Sequence, residues 1–179
     1  MNYISDLKPH IGSQKTLIVC SADLKTSQYF LTNDNVFLHW VPNGLLFRYD
    51  PKVREMLEHH LHKNRCSQII FVADDEPQLV SHLENSDRLK SLRSALSFNL
   101  SVLLRKHKDA PVRPHIRRQM LLELYVIDQC NNLLDYFFLK KEVSAGIIQV
   151  KGIVPEPGTH HLKQVFKNGI SYNDLLTLN

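Results

Sequence analysis

The chain has 179 residues, of which 43% are apolar and 22% charged. That composition fits one globular domain over residues 1–179 with a core large enough to fold without staples. The formal net charge of +4 mildly favours acidic partners through long-range attraction and decides no function by itself. The cysteines Cys20, Cys66 and Cys130 are odd in number, far apart and without a Cys-x-x-Cys pair, which speaks against a disulfide framework and for reduced thiols in a cytoplasm.

Met1 to Lys15 carries charges and Pro9 where a signal peptide would need an apolar segment, and no window approaches the roughly 18 to 20 apolar residues of a membrane span. The chain is therefore read as cytoplasmic, with no membrane partner. The first predicted element is the short, β-branched run Thr16 to Cys20, ending in Ser21-Ala22-Asp23 as a buried parallel strand entering a loop would. A second run, Val36 to Trp40, stops at the turn signal Val41-Pro42-Asn43-Gly44. Asp50-Pro51 then opens a helix, Asp50 as N-cap and Pro51 at the first helical position. Val53, Met56, Leu57 and Leu61 recur at helical spacing, which carries the helix to about Asn64.

Gln68 to Ala73 is the clearest buried strand, and it empties into Asp74-Asp75-Glu76-Pro77. Such carboxyl ends are where open α/β sheets place their sites. The leucines of residues 87–107 predict a helix that breaks at Asp109-Ala110-Pro111 and Pro114, and a second long helix follows over about 115–139. Gly146 ends the next short helical stretch, Ile147 to Val154 reads as a strand, and Pro155-Glu156-Pro157-Gly158 as a turn. Leu162 to Phe166 returns as the second strand of a hairpin. Strands alternating with helices imply a mostly parallel sheet covered on both faces, with an antiparallel edge near the C-terminus.

Between Arg105 and Arg118 the chain collects Lys106, His107, Lys108, Arg113, His115 and Arg117. No aromatic residue interleaves with them, so the stacking surface of a single-strand binder is missing and nucleic acid is not the expected partner. A solvated loop explains the cluster, with a basic interaction module as the sharper alternative. His59, His60 and His62 read as the exposed last turn of a helix, where the dipole favours them, and His160-His161 as a loop tip. Packing accounts for Cys66 and Cys130.

The order of motifs resembles that of the β-class carbonic anhydrases over nearly the whole chain. Leu17 to Lys25 stands where that family has a strand ending in Cys-Ser-Asp-Ser-Arg, and Asn35 to Asn43 resembles its next strand, which ends in Arg-Asn. Ile69 to Gln78 occupies the place of the strand leading into Gly-His-x-x-Cys-Gly. Val126-Ile127-Asp128-Gln129-Cys130-Asn131-Asn132-Leu133 resembles the late helix with its Asn-Leu pair, and Ile148 to Val154 the closing strand. The resemblance implies a β-carbonic-anhydrase-like α/β domain that forms a homodimer by pairing sheet edges.

It also implies where chemistry departs. The family's zinc needs two Cys thiolates, one His and an open position for water. Only Cys20 remains; Asp74 stands at the His position and Pro77, which has no side-chain donor, at the second Cys position. The family's Asp-Arg pair falls on Ala22 and Leu24 without a gap, or on Asp23 and Lys25 with a one-residue insertion, and Lys cannot reproduce a bidentate Arg fork. Arg before Asn is gone, replaced in the region of Trp40. The expectation is a carbonic-anhydrase-like protein with a degenerate site, no cofactor, and a binding or interaction role toward a small anion or other small molecule. The alternative is a carbonate dehydratase or other hydro-lyase that uses zinc or another metal through Cys20 and the carboxylates Asp23 and Asp74. Cys20 as a buried small hydrophobe is the plainer reading of that thiol.

Overall fold

The computed structural model describes residues 4–21, 34–41, 46, 49–73, 114–156, 159 and 161–171. Six strands form one sheet in the order β2-β1-β3-β4-β5-β6: β1 is Thr16–Ser21, β2 Val36–Val41, β3 Gln68–Val72, β4 Gln149–Pro155, β5 Leu162–Lys167 and β6 Ile170–Ser171. The first four run parallel, with Cys20 level with Trp40 on one side and Val72 on the other. β4, β5 and β6 pair antiparallel, because a short connection can reverse the chain but cannot cross over. The mostly parallel sheet and its antiparallel C-terminal edge are as the sequence predicts. The predicted helix over 87–107 lies outside the described residues.

The central strands read as unbroken apolar runs because both their faces are covered. On one face Leu17, Val19, Ile69, Phe71, Val150 and Val154 meet the helices that follow β2 and β3. On the other, Ile18, Val36, Ile70, Val72 and Ile153 receive Leu7 and Ile11 from helix α1, Ile4–Ile11. The end of α1 is closed locally and at a distance. Gly12 takes the left-handed conformation at φ +62 that ends helices. Gln68 Nε2 and Lys151 Nζ, each 3.1 Å from the carbonyl of His10, donate to it across the sheet.

Helix α2, Pro51–Glu58, starts as predicted: Asp50 is extended and its side chain accepts from Lys52 N at 2.9 Å, satisfying one of the free N–H groups of the first turn. The helix continues to Asn64 in a widened turn over His59–Lys63, where Asn64 N donates to His59 O at 3.4 Å and Cys66 N to His60 O at 3.1 Å.

The helix predicted over about 115–139 is two helices, α3 over Pro114–Leu134 and α4 over Phe137–Ser144. The apolar periodicity runs through the junction, so periodicity could not reveal it. Tyr136 is extended between them, buried, and its hydroxyl donates to Asp50 O at 3.0 Å. A tertiary bond therefore outweighs helix continuity. Gly146, at φ +71, ends α4 as expected, with Ile147 N reaching back to Glu142 O at 3.0 Å. The strand predicted from Ile147 begins at Gln149. β6, which the sequence reading lacks, follows the Asn168-Gly169 turn, both residues at positive φ, the usual chemistry of a tight hairpin.

Candidate functional site

The parallel strands β2, β1 and β3 finish at one end of the sheet with Val41, Ser21 and Val72. Open α/β sheets bind ligands outside these ends. Cys20 sits at that end, fully buried, and its Sγ donates to the carbonyl of His39 on the neighbouring strand at 3.7 Å. The expected parallel pairing of the first and third strands is present, so the chain leaves β3 through buried Ala73 on the same side as Cys20. Asp74 is the next residue. Asp74 itself, the other candidates Asp23 and Lys25, and Pro77 lie outside the described residues.

Helix α3 lays a polar stripe against this region. Tyr125, Asp128, Gln129 and Asn132 share one helix face by their spacing, and all four are buried. Tyr125 packs edge-on to Phe71, ring centroids 5.8 Å apart. Burial holds its phenol well above the usual range, and Asp128, Cys20 and Cys130 act in the same direction. The hydroxyl thus stays protonated among an acid and two thiols. Burial, reinforced by Asp128, likewise keeps Cys130 a neutral thiol.

Asp128 Oδ2 accepts from Gln129 Nε2 and Asn132 Nδ2, each at 3.2 Å. Those two amides also grip one distant residue: Gln129 Oε1 accepts from Leu46 N at 2.6 Å and Asn132 Nδ2 donates to Leu46 O at 3.2 Å. Leu46 lies on the connection between β2 and α2, so α3 holds that connection at the sheet end that carries Cys20. In the sequence these residues fall within the segment that resembles the family's late helix, which by itself gives them no role. Three amide or acid side chains at helical spacing inside an otherwise apolar run were the available signal, since buried polar groups are nearly always bonded.

The remaining sequence candidates separate. Cys66 and Cys130 are buried, as packing required. His59 and His62 are exposed, but His60 is half-buried, unlike the solvent-exposed turn expected there. His161 is exposed. Of the basic run, Arg117 and Arg118 fall in the first turns of α3 rather than in a loop, while Arg105, Lys106, His107, Lys108 and Arg113 lie outside the described residues. Among the described residues, no group of three or more His, Cys, Asp and Glu side chains is placed to hold a metal ion. No helix among them is long and apolar enough to cross a membrane.

Cys20 is turned to a peptide carbonyl as a hydrogen-bond donor, whereas a metal takes the thiolate.

Neither a protein-family model nor a curated protein sequence matches the chain. Solved structures do. A mutant form of the β-carbonic anhydrase CafD of Aspergillus fumigatus superposes with a TM-score of 0.64 at 17% identity, over 93% of this chain and 97% of that one. A tetrameric β-carbonic anhydrase of Sordaria macrospora gives 0.64 at 14% identity, over 91% and 89%. The Coccomyxa β-carbonic anhydrase in complex with acetazolamide gives 0.59 at 19% identity, over 91% and 76%. Strand order and these superpositions together show that the chain has the β-carbonic anhydrase fold.

Proposed function

We propose that this protein keeps the fold of a β-carbonic anhydrase without its zinc chemistry and acts as a binding or interaction protein. The observation that supports the reading is the set of residues standing in the sequence where the resembled family has its zinc ligands. Cys20 is the one soft ligand left, Asp74 replaces an imidazole, and Pro77 offers no donor at all. Zinc–hydroxide catalysis needs three protein ligands that together lower the pKa of a bound water toward neutrality. A thiol, a carboxylate and a proline do not provide them. What remains is a sheet end that carries Cys20, with Asp23, Lys25 and Asp74 following β1 and β3 in sequence, where a small anion or other small molecule is the expected ligand. Three buried cysteines with no disulfide between them suit a reducing cytoplasm.

The protein as purified is expected to carry no stoichiometric zinc and to leave carbon dioxide hydration at the background rate. Elemental analysis giving about one zinc per chain, lost in Cys20→Ala, would replace this reading with a hydro-lyase whose metal is held by Cys20 and carboxylates.

We further propose that the protein pairs with a second copy of itself along β2. Among the described residues that strand ends the sheet, and Trp40 on it is 52% exposed. An apolar edge strand with unpaired backbone groups is a template for another strand, and a twofold pairing of like edges is the simplest closed assembly.

A further inference from the structure

We propose that His60 is an acid-operated latch between helix α2 and the edge strand β2. Its imidazole leaves the solvent-facing side of the widened turn and lies against β2, 5.5 Å from the ring of Phe37 and 5.3 Å from that of His59. Asn64 Nδ2 stands 2.9 Å from His60 Nδ1. A neutral ring accepts that bond at its lone pair; a protonated ring is a donor at both nitrogens and cannot.

The neutral latch is held on three sides: by a tilted ring contact with Phe37 on β2, by Asn64, and by Cys66 N bonded to the His60 carbonyl at 3.1 Å. The groups around it give a proton little welcome. His39 faces it from β2 and His59 adjoins it, and both oppose a positive charge on it, as does its partial burial. His62, Lys63 and Arg65 follow in the same turn, and Lys15, before β1, acts on adjacent Cys66. Of the carboxylates just upstream, Glu58 is engaged by Arg54 at 2.8 Å. The end of a helix ordinarily favours an imidazolium by a few tenths to about 1 kcal/mol. Here burial and two neighbouring imidazoles outweigh it.

Protonation therefore places a charge in a half-buried site beside two other imidazoles and removes the lone pair that accepts from Asn64 Nδ2, so the amide must turn over to keep a bond to the ring. The turn that rests on Phe37 lets go, and the outer strand of the sheet loosens while the central strands stay intact. The widened helical turn is suited to this, because such turns already depart from regular helix bonding.

Trp40, the single tryptophan of the chain, reports on β2 directly. Its emission, followed from pH 8 to pH 5 with sedimentation run alongside, is expected to show one transition below the usual imidazole value of about 6.5. The transition is expected to vanish in His60→Gln, persist in His39→Gln, and move to higher pH in His59→Gln, where a repelling neighbour is gone. Should His60→Gln fail to fold, the direction of the His59→Gln shift decides alone. A transition that survives in His60→Gln, vanishes in His39→Gln or stays put in His59→Gln overturns the latch.

Discussion

Gly152 on β4 lies directly beneath Val126 of α3: a β-carbon at residue 152 would stand 2.7 Å from Val126 Cγ1, 2.9 Å from Cys130 Sγ and 3.0 Å from Phe166 Cβ. The helix sits this close to the sheet because the glycine has no side chain. Gly152→Ala is therefore expected to destabilise the fold by about 1 to 3 kcal/mol, the usual range for overpacking a core. Denaturant midpoints measure it, and Gly152→Ala combined with Cys130→Ala should recover part of the loss, since the two sites touch. A neutral Gly152→Ala would show that α3 is free to shift.

Asn132 ties Asp128 on its own helix to the carbonyl of Leu46. Replacing it with Ala leaves buried acceptors short of a donor, at an expected cost of about 1 to 3 kcal/mol. Proteolysis of the native protein between β2 and α2 should accelerate in the same variant, because Asn132 and Gln129 fasten Leu46, on that connection, to α3. Unchanged proteolysis together with an unchanged urea midpoint would remove the clip from the account.

Burial keeps His10, His39 and His60 below their ordinary pKa in the folded state. The unfolded chain therefore binds more protons than the native one as pH falls. Stability from these groups is fully present above the unfolded value of about 6.5 and is lost as pH drops from there through the lowered folded values. Urea melts at pH 7.5, 6.5 and 5.5 are expected to show falling midpoints, in a window above the titration of ordinary carboxylates. A midpoint that rises toward pH 5.5 contradicts the assignment.

The thiols should be silent in the native protein. Cys66 is raised to about 11 by burial, Cys130 is raised by burial and by Asp128, and Cys20 is fully enclosed in β1. At pH 8 a thiolate-selective reagent is expected to modify native protein slowly, and all three cysteines promptly in denaturant. Fast labelling of Cys20 in the native state would mark that end of the sheet as open and reactive.

Pairing along β2 predicts that Trp40→Lys lowers the association constant without changing the thermal midpoint of the isolated chain, since lysine on an edge blocks strand pairing. Sedimentation equilibrium at tens of micromolar compares the two proteins. Wild type that remains monomeric there would exclude the proposed pairing.

Asp50-Pro51, the left-handed Gly146 and the unbroken apolar strands were legible in the sequence because each is set within a few residues: a cap, a backbone angle, a strand covered on both faces. The order of these elements was enough to identify the fold. Other features depend on partners far along the chain. Tyr136 breaks a periodic helix for a carbonyl 86 residues away, and Gln129 owes its role to Leu46 across 83. His60 looked like one more exposed imidazole until β2 was laid against it, and Gly152 showed no turn or loop signal because its constraint is the approach of α3. Local propensity carries none of this information. It arises only when packing brings a buried polar atom, or a missing β-carbon, up against a neighbour that the sequence places elsewhere.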